Sequence, residues 1–292
     1  MRIDPKGRSS DLEDRRGGGG GGGFGFGGGG GGFGRGRLGL GGIVIVLILS
    51  VVFKQDFFSA LGGGSGVVEQ SPAAAAPVTD PAEERDVLIL SAVLDSAQNF
   101  WQRTLPRMGQ QYQRARLVLF RDATQTACGA GQAASGPFYC PGDTRVYLDL
   151  SFLEELKSRF GAPGDFAQAY VLAHEIGHHV QNLLGTSGQV HQAQQQRGGT
   201  AANELSVRLE LQADCYAGAW AHTASRQGWL DVGDIEEGLG AAAAVGDDRL
   251  QKQSTGRVSP ESWTHGSSEQ RMQWFKRGFQ NGSPEACDTF AR

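Results

Sequence analysis

Half of the six histidines in this 292-residue chain fall within six positions, in the stretch AHEIGHHVQ at residues 173–181. His174 and His178 are four apart. On a helix turning about 100° per residue they lie roughly 40° apart around the axis and one turn along it, so both imidazoles can meet one cation. Glu175 sits about 100° round, beside the pair, where its carboxylate can reach a water on that cation. Neutral imidazoles suit Zn²⁺, and zinc brings the pKa of a bound water towards about 7. Glu175 can then take that proton and pass it to a leaving amine. His179 lies about 140° from His174 and is expected off the metal, as a flanking residue.

A catalytic zinc needs a third protein ligand and an open position. In glutamate-type zinc peptidases the third ligand is a helical glutamate. An aspartate four residues later bonds a ligand histidine. Within NELSVRLELQADCYAGAWAH (203–222), Glu204 is followed four residues on by Arg208, and Glu210 by Asp214. Glu210 is therefore the expected ligand, and Asp214 the expected acceptor that orients His174 or His178. The apolar surroundings (Leu209, Leu211, Ala213, Trp220) disfavour a merely solvated pair of acids. His191 and His222 are weaker ligand candidates.

These residues need elements to hold them. Asp165 and Gln168 resemble a capping box that opens a helix running to Gly185, with Leu172, Ile176, Val180, Leu183 and Leu184 on its apolar side. Ser151 and Glu154 suggest a second capping box, and another helical pattern covers about 203–226. ARLVLF (115–120) and RVYLDLSF (145–152) read as strands. The polar stretch 186–202 reads as a mobile rim.

The N-terminal third has a different composition. Residues 1–37 carry seven basic and four acidic residues in a chain of net charge −4, and 17–36 are almost all glycine. They read as a disordered tail. The uncharged LGLGGIVIVLILSVVF (38–53), extended by Phe57, Phe58 and Leu61, reads as a transmembrane anchor over 38–61. Residues 62–84 read as a linker, with the folded domain over 85–292. The basic flank predicts a cytoplasmic N-terminus and a body across the membrane. That expectation is a single-pass inner-membrane protein with a periplasmic or extracytoplasmic domain. Four cysteines in an exported domain suggest two disulfides, expected as Cys128–Cys140 and Cys215–Cys287 among three possible pairings. The body is mildly acidic, so no nucleic-acid partner is expected.

Several stretches carry a family resemblance: SDLEDRRGG (10–18), ACGAGQAASGPFYCPGDTRVYLDLSF (127–152), GDFAQAYVLAHEIGHHVQNLLG (164–185), ELQADCYAGAWA (210–221) and HGSSEQR (265–271). In these the chain resembles the neutral zinc metallopeptidases of bacterial membranes. The resemblance implies an anchored peptidase that binds one zinc and acts on polypeptides. A more distant similarity is to the membrane-associated M48-type peptidases, which add a histidine six residues before an arginine. His265 and Arg271 have that spacing, although Gly266 stands where the pattern usually has proline. His265 becomes a candidate oxyanion stabiliser, and Arg271 and Tyr147 candidates for substrate contact or site support.

The expected fold is α+β and zincin-like: two lobes, a small sheet against the His174–His178 helix, the Glu210 helix behind, and one transmembrane helix in front. RVYLDL is the expected edge strand for an extended substrate. The expected reaction is peptide hydrolysis by a zinc-bound water. The rival readings are a non-proteolytic envelope protein with a structural or vestigial zinc, and a zinc amidase acting on wall components.

Overall fold

The computed structural model describes residues 1–3, 5–17, 80–132, 136–158 and 164–291. The anchor expected over 38–61 and the linker up to residue 79 lie outside these residues. Among the described residues no helix is long and apolar enough to cross a membrane. Met1–Arg15 and Thr79–Arg292 together make one compact unit.

That unit is mixed α and β, and mostly helical. Helix α1 (Pro81–Thr104) starts inside the expected linker. Asp80 caps it by accepting from the Ala82 amide at 2.9 Å, and Pro81 takes the first turn, where no amide is needed. Val87, Leu90, Leu94, Ala97 and Trp101 follow helical spacing and are at most 1% exposed, so this face forms core.

Strand β2 (Arg116–Phe120) follows, then a hairpin of β3 (Ala123–Thr126) and β4 (Gly129–Gln132), then β5 (Phe138–Cys140) and β6 (Arg145–Asp149). A further strand, β1 (Leu12–Asp14), comes from the N-terminus. The main sheet runs β1-β2-β6-β5, with β1, β2 and β6 parallel and β5 antiparallel. Leu117, Leu119, Val146 and Leu148 face the main core, while Val118, Phe120 and Tyr147 make a small second cluster behind. The alternation is the two-residue period of a strand.

Two expectations fail here. RVYLDL is not an edge: β6 lies between β2 and β5, and Val146, Tyr147 and Leu148 are all buried, as an interior strand requires. The tail expected over 1–37 is not disordered at its start, because residues 12–14 pair with β2.

Helix α2 (Leu150–Ser158) is opened by Asp149, whose carboxylate accepts from the Ser151 amide at 2.8 Å, and not by a Ser151 capping box. Helix α3 (Asp165–Leu183) carries the histidines. Its N-cap is Gly164 with no side-chain bond, and Gln168 instead donates to Asp86, so that expected box is absent too. The polar rim is helical: α4 (Thr186–Arg197) leads directly into α5 (Gly199–Arg226). Helices α6 (Asp234–Ala244), α7 (Asp247–Thr255) and α8 (Ser268–Asn281) complete the unit. The disulfides are Cys128–Cys140 and Cys215–Cys287; the second ties α5 to the C-terminal segment.

Candidate metal centre and active site

Two close helix contacts create the site. Gly177 lies between the histidines, and a Cβ there would sit 3.1 Å from the Ala213 backbone, so only glycine lets α3 and α5 approach this closely without adjustment. Further along α5, a Cβ on Gly218 would lie 2.1 Å from the Phe275 oxygen, and one on Gly278 of α8 would lie 1.9 Å from the Cys215 oxygen. This reciprocal contact seats α8 on α5 and carries Arg271 to Asp214. A Gly278→Ala substitution should therefore cost about 1–3 kcal/mol by overpacking. Thermal unfolding checks this, and zinc affinity should fall with it because Arg271 is displaced.

His174, His178 and Glu210 converge, with their ligand atoms all within 4.8 Å of one another. His174 Nε2 is 3.1 Å from His178 Nε2 and 3.1 Å from a Glu210 oxygen, and His178 Nε2 is 3.5 Å from the other. Two donors each about 2.0–2.1 Å from a tetrahedral zinc lie about 3.3 Å apart, so the spacing fits that ion. Two histidines and a glutamate also leave a fourth position open.

The far side of each ring fixes its tautomer. His174 Nδ1 lies 2.9 Å from Asp214, which is fully buried and accepts a hydrogen bond from Nδ1–H. Asp214 also accepts from Tyr170 and takes two bonds from Arg271, at 2.8 and 2.9 Å. His178 Nδ1 lies 2.9 Å from Gln181 Oε1, and the Gln181 amide group donates to Leu209 O and Gln212. Its oxygen must therefore face His178. Both Nε2 lone pairs then point at one spot beside a carboxylate, an arrangement that asks for a cation or a proton.

The electrostatics agree. Burial alone would lower the His174 pKa, but Asp214 and Glu210 outweigh it and push it up to about 9. Burial would raise Glu210, yet the two histidines hold it well below the usual carboxylate range. In the metal-free chain, protonated His174 stabilises the fold fully below about pH 6.5, and this contribution is lost as pH rises to about 9. Zinc competes with that proton, so its affinity should climb over the same interval. Competition with a chelating dye across this range is the measurement, and a flat profile would contradict the assignment.

Glu175 is 7% exposed and follows His174 on α3; burial raises its pKa while both histidines lower it. His265 is partly exposed, and its charge acts on Glu210. Its Nδ1 lies 3.2 Å from Asp247, whose other oxygen accepts the amides of Thr264, His265 and Gly266 at 2.8, 2.6 and 3.0 Å. Gly266 has φ of +89°, which proline, held near −65°, cannot adopt.

The remaining candidates fall elsewhere. His179 is fully buried; its Nε2 donates to the Gln113 carbonyl at 2.6 Å, so its Nδ1 accepts from Tyr139 at 3.0 Å. It pins the metal helix to β5. Arg271 is the exception: 2% exposed, it bonds Asp214 and lies 3.7 Å from Glu210, which is the site-supporting of its two expected roles. Tyr147 is buried, bonds Asp143 at 2.8 Å and stacks on Phe138, outside the site. His191 bonds Gln195 and His222 bonds Phe279 O; neither joins the group. The sequence reading missed Tyr170, Gln181 and Asp247. Only Gln181, three residues after His178, offered a local signal.

Fold and site together define an α+β domain built around two histidines and a glutamate that could hold a cation. The family described as "Putative neutral zinc metallopeptidase" matches residues 1–290, and the chain belongs to it. Its relatives include the uncharacterized protein YpfJ of Escherichia coli (strain K12), 48% identical over 250 residues that cover 86% of each chain. The uncharacterized protein Rv2575 of Mycobacterium tuberculosis (strain H37Rv) is 47% identical over 208 residues, 68% of each chain. No solved structure matches.

Proposed function

We propose that this protein is a zinc-dependent endopeptidase that hydrolyses peptide bonds in polypeptide substrates. The convergence of His174, His178 and Glu210, with Glu175 beside them, carries the reading. Zinc held there would supply Lewis acidity, activating a water and polarising the scissile carbonyl. Glu175 takes the proton of the attacking water and hands it to the leaving amine. Asp247 accepts the hydrogen bond from His265 Nδ1–H and leaves the Nε2 side to face the developing oxyanion, which His265 stabilises when protonated. Asp214 and Gln181 keep both ligand imidazoles in register. An extended substrate pairs with the edge of β5, which lies along α3 through Tyr139, in place of the β6 edge expected from sequence. Two disulfides support a location outside the reducing cytoplasm, and the apolar run 38–61 supports attachment to the membrane.

The test uses the full chain in detergent and a peptide library. Cleavage should be lost with a chelator and restored by about one equivalent of zinc per chain. Absence of cleavage by the zinc-loaded chain would favour the non-proteolytic envelope protein, and cleavage of wall amides alone would favour the amidase.

A further inference from the structure

Strand β1 precedes the apolar run in sequence, yet it completes the sheet of the catalytic unit. We infer that residues 1–15 lie on the same side of the membrane as the active site, so that the 38–61 run does not carry the chain across once. This replaces the cytoplasmic N-terminus expected from the charge distribution, and it is independent of the peptidase reading.

The arm is held by backbone and side chains alike. The Leu117 amide donates to Asp11 O at 2.9 Å, and the Arg15 amide to Leu119 O at 2.8 Å. Arg114 binds Asp11 at 2.6 Å, Arg145 binds Glu13 at 3.0 Å, and Ser9 donates to Asp95 at 2.7 Å. Without β1, strand β2 would be an open edge, although its Leu117, Val118 and Leu119 are fully buried.

Three of the seven basic residues that suggested a cytoplasmic N-terminus are paired within this unit. Arg2 pairs with Asp231 at 2.5 Å, Arg8 with Glu84 and with Asp14 at 3.0 Å, and Arg15 with Glu13 at 2.7 Å. A residue already neutralised by a carboxylate adds little to a bias that acts through free positive charge.

Topology then excludes a single crossing. Residues 15 and 80 are both fixed on one body, so any excursion into the bilayer must return to the side it left. Neither flank can supply a second span. Residues 17–37 are glycine-rich and contain Arg35 and Arg37, and residues 62–79 mix Gly, Ala and Pro with Glu69. Neither has the roughly 20 apolar residues that a crossing helix needs.

Cysteine labelling tests this in the full chain in native membranes. All four natural cysteines are in disulfides, so the background is low. Ser10→Cys reports the arm and Ser225→Cys the catalytic body; both positions are exposed. A membrane-impermeant maleimide should label both from the same face, in right-side-out or in inverted vesicles. Labelling of the two from opposite faces overturns the inference. A charge reversal checks the docking itself. Glu13→Arg should lower the thermal midpoint by about 2–4 °C, and adding Arg145→Glu should restore it. If Glu13→Arg shifts nothing, or Arg145→Glu does not compensate, the arm is not docked in the membrane form and the inference falls. Neither readout involves zinc or cleavage, so its failure is distinct from failure of the peptidase reading.

Discussion

Replacing Glu175 with glutamine should leave zinc bound and lower kcat by about 10²–10⁴-fold, the usual contribution of a positioned general base. Glutamine has the same length and shape, so the packing of α3 around this 7%-exposed side chain is kept. It cannot take a proton. The three ligands are untouched, so metal content should equal that of the parent, and KM should move little because no substrate-binding group has changed. Metal analysis and saturating peptide kinetics separate these outcomes. A variant that binds zinc and cleaves at the parental rate would remove Glu175 from the mechanism.

What could be read from the sequence divides by the range over which the residues act. His174, Glu175 and His178 act within one helical turn, so spacing alone places them. Glu210 lies far along the chain, but its partner Asp214 is again four residues away on one helix face. Asp247 supports His265 across 18 residues of loop and helix, and nothing local links them. Tyr170 looks like a core aromatic until Asp214 and Arg271 are seen against its hydroxyl. Strand β1 is invisible for another reason. Two of its three residues are acids, and it is held by backbone pairing and distant arginines, not by an apolar pattern. Helix α4 was hidden by polarity: glutamine favours helix well enough, but only Val190 of this segment is buried, so no amphipathic signal survives. In β6, by contrast, the unbroken apolar run Val146, Tyr147 and Leu148 was a sign of an interior strand that the expectation of an edge passed over.

Replacing Asp214 with alanine should be the most damaging change outside the three ligands, and its two effects can be pulled apart. Asp214 is fully buried, and Arg271, 2% exposed, depends on it for two charge-assisted bonds. Removing one partner of such a pair costs about 3–5 kcal/mol, because the other charge stays buried without compensation. For a folded unit of this size that is a fall of roughly 6–20 °C in thermal midpoint. Separately, His174 loses the acceptor that fixes its tautomer, and zinc affinity should drop about 10–100-fold. Adding Arg271→Met removes the stranded charge, so the double variant should recover most of the midpoint. It should not recover zinc affinity, since nothing in the restored packing gives His174 Nδ1 a carboxylate. Recovery of both by the double variant would show that Asp214 serves the fold alone. Recovery of stability without affinity would show that one buried carboxylate holds the helices together and aims a ligand at the metal.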